Sequence, residues 1–135
     1  MTKKEFLMRA FLLNKKIKSK EIQIDELRSH AEYLTPQISD TPTGGSPVAK
    51  SQLEETVVRL LNLQEKLSND INELCKAREE ISQAIAAVEN PMFETILMLR
   101  YLEYLSWEEV AARMNSSLQA VYKAHGRALQ LVKVP

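Results

Sequence analysis

The side chains that could recognise a ligand lie near the C-terminus, in a predicted last helix that runs to Leu131. The amide of Gln119 can pair with the N6 and N7 atoms of adenine, and the ammonium group of Lys123 can contact guanine or a phosphate. Tyr122 can contact a nucleic-acid backbone or a thymine methyl group, or it can pack on the preceding turn. The alternative interpretation is an ordinary solvated helix face.

No arrangement of residues indicates catalysis. The chain has one cysteine, Cys75, and two histidines, His30 and His125, which are far apart in the sequence. These cannot assemble a metal site, and no Ser-His-Asp, Cys-His or paired-carboxylate pattern stands out. A lone cysteine is typical of a reducing cytoplasm. We expect a cytoplasmic protein that is not an enzyme and uses no cofactor or metal, with Trp107 in the core and His125 on the surface.

Composition favours an all-helical protein that does not span a membrane. Glycine occurs only three times in 135 residues, which argues against a sheet-rich fold, and no apolar stretch approaches membrane-spanning length. The 18 basic and 18 acidic residues cancel but are unevenly distributed. Residues 1–34 carry eight basic and five acidic side chains, residues 51–90 four and eight, and residues 91–135 five and four. The first two segments could pair, whereas the last is only slightly basic.

The first segment, Met1 to Leu34, has the heptad pattern of a helix that packs along a single stripe. Its apolar residues alternate at spacings of four and three, and only Lys20 breaks the pattern. Pro36 should end this helix at Thr35, because the residue before a proline is pushed out of helical geometry. The predicted stripe consists of Phe6, Ala10, Leu13, Ile17, Ile24, Leu27, Ala31 and Leu34.

A second heptad helix follows residues 35–50, a segment rich in Pro, Gly, Ser and Thr that we interpret as a flexible linker. This helix should begin near Ser51 and end or kink at Asn90-Pro91, with Gln64 and Arg78 as polar exceptions. The predicted stripe consists of Leu53, Val57, Leu60, Leu67, Ile71, Leu74, Ile81, Ile85 and Val88. Two such helices joined by a linker predict a long antiparallel, coiled-coil-like hairpin over residues 1–90.

Further apolar residues flank the two stripes. A hairpin of two helices cannot cover them, so either a second copy of the chain or the C-terminal part must do so. We therefore expect a homodimer. The flanking residues are Leu7, Phe11, Leu12, Ile22, Val58, Leu61 and Leu63.

The C-terminal third predicts three short helices, of which the first is apolar. Ser106 can cap the second and can form a capping box with Glu109. Asn115 then lies at a turn position that needs a left-handed backbone, which asparagine tolerates second only to glycine. Ser117, or alternatively Ser116, can cap the last helix.

The residues between Leu99 and Ala111, LRYLEYLSWEEVA, are similar to the run LRYLEGLSYEEIA in region 4 of bacterial sigma factors. Tyr122 and the segment Arg127-Ala128-Leu129 continue the similarity, which covers the last third of the chain. A helical N-terminal part followed by such a C-terminus resembles small phage and prophage proteins of Gram-positive bacteria, including late-gene transcriptional activators. The resemblance implies a small helix-turn-helix bundle over residues 91–135 and a phage-type DNA-binding transcriptional regulator.

The resemblance also implies a set of contact residues. The last helix of a helix-turn-helix enters the major groove of double-stranded DNA, and contact with RNA polymerase is a second expected interaction. Ala111 would let the two helices cross closely, with apolar residues facing the crossing at Val110, Met114, Val121 and Ala124. The implied DNA-binding residues are Ser117, Leu118, Gln119, Tyr122, Lys123 and Arg127.

The sequence departs from the sigma pattern at three positions, and two other functions stay open. Leu118 lies at a slot that is usually polar, Ser116 replaces an apolar residue, and Gly126 lies inside the last helix. The region that melts promoters in sigma factors is absent. One alternative is a small terminase-like DNA-packaging subunit, which a ring of many subunits would distinguish. The other is a protein-interaction module that contacts RNA polymerase without binding DNA, which direct titration with DNA would distinguish.

Overall fold

A computed structural model describes residues 1–39 and 47–135, and all regular secondary structure in these two ranges is helical. This confirms the predicted all-α protein, with two long helices followed by smaller ones. No helix within the described ranges is both long and apolar enough to cross a membrane. The helices are α1 (Lys3–Ser39), α2 (Pro47–Ala86), α3 (Pro91–Tyr101), α4 (Trp107–Arg113) and α5 (Leu118–Leu131).

The first helix does not end where the proline predicted. Helix α1 continues through Pro36 to Ser39, so the prediction that it ends at Thr35 is wrong. Leu34 is 2% exposed, and the Thr35 hydroxyl donates a hydrogen bond to the carbonyl of Ala31 at 2.8 Å. A proline inside a helix removes one backbone hydrogen bond, and α1 nevertheless continues for three residues past it.

The second helix begins earlier than predicted. Helix α2 starts at Pro47 rather than near Ser51. Proline suits the first position of a helix, because its fixed φ angle is already helical and no partner is needed there for a backbone N–H. The central part of the predicted flexible linker, residues 40–46, lies outside the described residues.

The described residues form two compact units. The first unit consists of Met1–Asn14 and Glu73–Pro135, and the second of Lys15–Asn72. Within the second unit, Lys20 of α1 forms an ion pair with Asp70 of α2. Farther along α1 and nearer the start of α2, Leu27 and Leu63 line one groove. The two helices therefore run antiparallel there, as the predicted hairpin requires.

The heptad stripe of α1 is confirmed, but the α2 stripe was predicted one residue too late at Val57 and Ile71. Thr56 and Asp70 are buried, whereas Val57 and Ile71 are 39% and 42% exposed. The heptad spacing on α2 fits either Asp70 or Ile71 as the buried residue, and apolarity alone favours Ile71. The ion pair decides otherwise, because Lys20 in the α1 stripe requires a carboxylate opposite it.

The first unit has a core to which both long helices and the short helices contribute. Leu7 and Ile81 are fully buried beside Leu97, Tyr101 and further residues of α3 and α5. The predicted boundary at residue 90 falls between α2 and α3, and this core draws residues from both sides of it. The core consists of Phe6, Leu7, Ala10, Ile81, Ala84, Ile85, Val88, Leu97, Tyr101, Ala128 and Val132.

Candidate nucleic-acid interface

Local hydrogen bonds determine where α4 begins. The Glu109 backbone N–H donates to the Ser106 hydroxyl at 3.2 Å, and the Ser106 N–H donates to the Glu109 carboxylate at 3.3 Å. This is the predicted capping box, which satisfies two backbone donors that have no partner inside the helix. It begins α4 at Trp107 and so fixes which of its residues face α5.

The turn between α4 and α5 has the predicted left-handed residue. Asn115 has a φ angle of 50°, which asparagine adopts at lower cost than most other residues. Ser117 caps α5 by accepting a hydrogen bond from the Ala120 N–H at 3.1 Å. Ser116 is not the cap, because its hydroxyl donates to the Met114 carbonyl instead. These local contacts set the angle at which α5 leaves the turn.

Helix α5 packs against α3 and α4 through a small apolar core. Val110 and Val121 are 0% and 1% exposed, and Ala111 is buried where the helices cross. Met114 and Ala124 are half-buried against the same core. The predicted crossing residues are thus confirmed, and they hold α5 with its opposite face toward solvent.

The structure brings most of the predicted contact residues onto the outer surface of α5. Gln119, Lys123 and Arg127 are exposed, and Tyr122 is 45% exposed. At 3.6 residues per turn, Gln119, Lys123 and Arg127 follow one another at intervals of four residues along one line, and Tyr122 lies beside it. Leu118 differs from these, because its side chain is half-buried. Ser117 is exposed, and its hydroxyl is engaged as the helix cap.

The segment of the chain that contains α5 carries basic but no acidic side chains. Residues 110–135 contain four basic residues, Arg113, Lys123, Arg127 and Lys133, and no Asp or Glu. The overall count for residues 91–135 concealed this, because the four acidic residues of that segment all precede residue 110. The Lys3 ammonium group at the start of α1 donates to the Gln130 carbonyl at 3.0 Å, which adds a positive charge at the end of α5.

Aromatic side chains pack between α5 and the start of α4. The Tyr122 ring meets the Trp107 ring edge-on, with centroids 5.4 Å apart, and the Arg100 guanidinium lies 4.5 Å from the Trp107 centroid. Arg100 also donates to the Leu105 carbonyl at 2.9 Å. Trp107 packs against the small core, as predicted, and Tyr122 is both packed on Trp107 and partly exposed. The tyrosine hydroxyl is therefore presented from a ring that is held in place.

His125 is buried, and the prediction that it lies on the surface is wrong. The side chain is 7% exposed, and its Nε2 shares a hydrogen bond with the Tyr101 hydroxyl at 2.6 Å. Burial, followed by the positive charges of Lys4 and Arg100, lowers the pKa of His125 to about 4. Burial also raises the pKa of Tyr101 to about 12. Both groups are therefore neutral near pH 7.

This buried pair predicts a pH-dependent stability. Because the pKa of His125 is about 4 in the folded state and 6.5 in the unfolded state, the unfolded state binds more protons between these values. The stability that the folded state gains from burying neutral His125 is complete above pH 6.5 and is lost as the pH falls toward 4. Between pH 7.5 and 5 we expect the free energy of unfolding to fall by roughly 2 kcal/mol.

Urea denaturation at pH 7.5 and 5 measures this effect. His125→Gln should lose most of the pH dependence, whereas His30→Gln, at an exposed position of α1, should retain it. An equal pH dependence in wild type and His125→Gln would show that other groups cause it.

Periodicity contained a signal for the position of His125. His125 lies four residues after the buried Val121 and three before the buried Ala128, so helical spacing puts all three on one face. The polar character of histidine hid this signal.

Metal-ligating side chains do not cluster within the described ranges. No group of three or more His, Cys, Asp and Glu side chains within residues 1–39 and 47–135 could hold a metal ion. Cys75 is exposed and has its thiol free. The arrangement that the structure does offer is a helix with a polar and cationic outer face, supported by two others.

Comparison with known proteins gives a family. No curated protein and no solved structure matches the chain at a significant level. A family model described as "Protein of unknown function (DUF1492)" matches residues 35–133, which include all of α2 to α5. Because the match covers well over half of the 135 residues, the chain belongs to the DUF1492 family.

Proposed function

We propose that this protein is a phage-type transcriptional regulator that binds double-stranded DNA through α5. The observation that carries the proposal is the outer face of α5, which presents Gln119, Tyr122, Lys123 and Arg127 without any acidic neighbour on the helix. A helix with its side chains is about 10–12 Å across, which matches the roughly 12 Å width of the major groove. The short helices behind it supply the rigid support that groove recognition needs.

The chemistry of these side chains divides the proposed roles. Gln119, near the helix start, would pair with the edge of an adenine through its amide. Lys123, one turn later, would contact guanine or phosphate. Arg127 lies one further turn along the same line and would contact a phosphate of the groove wall. The fixed ring of Tyr122 would contact the sugar-phosphate backbone or a thymine methyl group.

The balance of charge favours modest affinity from one copy alone. The chain as a whole has no net charge, so long-range attraction to DNA is weak. Affinity would then depend on contacts near α5 and on a second interaction. Two copies on adjacent half-sites, or a contact with RNA polymerase, would supply that interaction.

We propose a homodimer formed through the second unit. Ile22, Val57, Val58 and Leu61 are exposed there by 60%, 39%, 57% and 59%. Two other flanking residues are covered within the first unit, since Leu7 is fully buried and the Phe11 ring packs on Tyr104, whereas Leu12 is 56% exposed. A second copy of the chain would cover the exposed apolar residues of the second unit.

The dimer can be tested by substitution. Leu61→Glu should shift the protein from dimer to monomer, because it places a carboxylate in the apolar surface, and Glu65→Leu at a neighbouring exposed position should not. Multi-angle light scattering at tens of micromolar measures the mass. A monomeric wild type at that concentration would contradict the proposed dimer, and a ring of many subunits would favour a DNA-packaging role.

Selection from a random duplex library tests the function itself. Repeated capture of DNA by the full chain should enrich a short sequence motif, with two related half-sites if the dimer binds. Capture by Lys123→Glu is the control and should enrich nothing. Failure of the wild type to enrich any motif, together with capture of RNA polymerase from a bacterial lysate, would favour the protein-interaction module instead.

A further inference from the structure

Gly126 occupies a place on α5 that the fold of the chain does not explain. It is exposed, and a Cβ atom built on it would meet no atom within 4 Å. Glycine inside a helix lowers stability relative to alanine, because it loses more backbone freedom on folding. Nothing in the first unit therefore requires the absence of a side chain at this position, and helix stability disfavours it.

The position of Gly126 on the helix suggests why a side chain is absent. With 3.6 residues per turn, Gly126 lies on the line that also carries Tyr122 and Gln130, beside the line of Gln119, Lys123 and Arg127. These neighbours are all exposed. The glycine is thus near the middle of the outer face that presents the polar and basic side chains, and it leaves a shallow gap there.

We propose that Gly126 is a close-approach point, where the backbone of α5 comes into direct contact with double-stranded DNA. The inference rests on the proposed function and adds to it the depth at which the helix is inserted. A helix nearly fills the major groove, so a side chain in the middle of its outer face holds the backbone away from the base edges. Removing that side chain lets Gln119 and Lys123 reach those edges. Glycine then lowers the stability of α5 because DNA binding requires the absence of a side chain at this position.

Substitution of Gly126 separates this role from a structural one, because the two effects have opposite signs. Gly126→Ala should raise the melting temperature by roughly 3 to 5 °C. The same variant should bind a selected duplex about fivefold more weakly, a change of about 1 kcal/mol. Gly126→Gln, with a longer side chain, should bind more weakly still. Fluorescence anisotropy gives the affinities and circular dichroism the melting temperatures.

A matched control places the same side chain outside the proposed interface. Ser82 is exposed on α2, and Ser82→Gln should leave DNA affinity unchanged. If Gly126→Ala binds as tightly as wild type, the close-approach role is wrong although the proposed function stands. If Gly126→Ala is less stable than wild type, the gap has a structural cause and the inference is equally overturned. If wild type itself binds no duplex, the proposed function fails and the inference fails with it.

Discussion

Replacing Lys123 with glutamate is expected to abolish DNA binding. Lys123 is exposed on the outer face of α5, on the line that starts at Gln119. A carboxylate there would face the phosphates of both groove walls, and like charges brought together in an interface cost several kcal/mol. A loss of about 3 kcal/mol is a reduction of more than 100-fold in affinity. The substitution lies on a solvated surface, so the fold should be unaffected.

Two alanine variants should distinguish base contact from phosphate contact. Gln119→Ala should weaken binding to the selected site by about 1–3 kcal/mol and relax the base preference at one position. Arg127→Ala should weaken all duplexes alike and reduce the dependence of affinity on salt by about one unit of slope. If both variants behave in the same way, the division between base contact and phosphate contact is wrong.

The control for charge reversal lies on another helix of the same unit. Lys76 is exposed on α2, away from α5 in the sequence and on a different element. Lys76→Glu changes the net charge by the same amount as Lys123→Glu, and it should reduce affinity only slightly. An equal loss in both variants would mean that net charge, rather than the face of α5, governs binding.

The second large effect concerns the ion pair inside the hairpin. The side chains of Lys20 and Asp70 are 17% and 12% exposed, so both charges are largely removed from water. Asp70→Ala leaves the ammonium group of Lys20 without its carboxylate. We expect the free energy of unfolding to fall by about 3 kcal/mol, at the low end of the range for broken buried pairs because some solvent reaches the site.

A double variant tests whether Lys20 and Asp70 stabilise the fold as a pair. Lys20→Met with Asp70→Leu replaces both charges by apolar side chains of similar size and should recover most or all of the lost stability. Thermal or urea unfolding of the two single variants and the double variant completes the cycle. If the double variant is as unstable as the sum of the single ones, the two side chains do not act as a pair.

The sequence was sufficient for the helices but not for the register of α2. Heptad spacing located both long helices, and it identified the stripe of α1 with Lys20 as the exception. It could not choose between Asp70 and Ile71 on α2, because that choice depends on which residue of the other helix lies opposite. Helix α1 also continued past Pro36, against the local preference of the residue before a proline. Long-range pairing, which periodicity does not contain, decided the register of α2.

The local geometry of the candidate interface was predictable, because it depends on near neighbours. The capping box at Ser106, the left-handed Asn115 and the cap at Ser117 are all contacts within a few residues. The surroundings of α5 were not predictable in this way. The contact of Lys3 with the end of α5 depends on packing between segments far apart in the chain. The burial of His125 followed from helical spacing, and only its hydrogen bond to Tyr101 needed a contact between helices.

The central claim is that α5 binds duplex DNA, and a titration of the wild-type chain across salt concentrations tests it most directly. Fluorescence anisotropy should be measured on a labelled duplex that carries the selected site and on one with the same composition in scrambled order. We predict saturable binding that weakens as salt rises and favours the selected site. Absence of salt-dependent binding to either duplex, alone or with RNA polymerase present, would contradict the account.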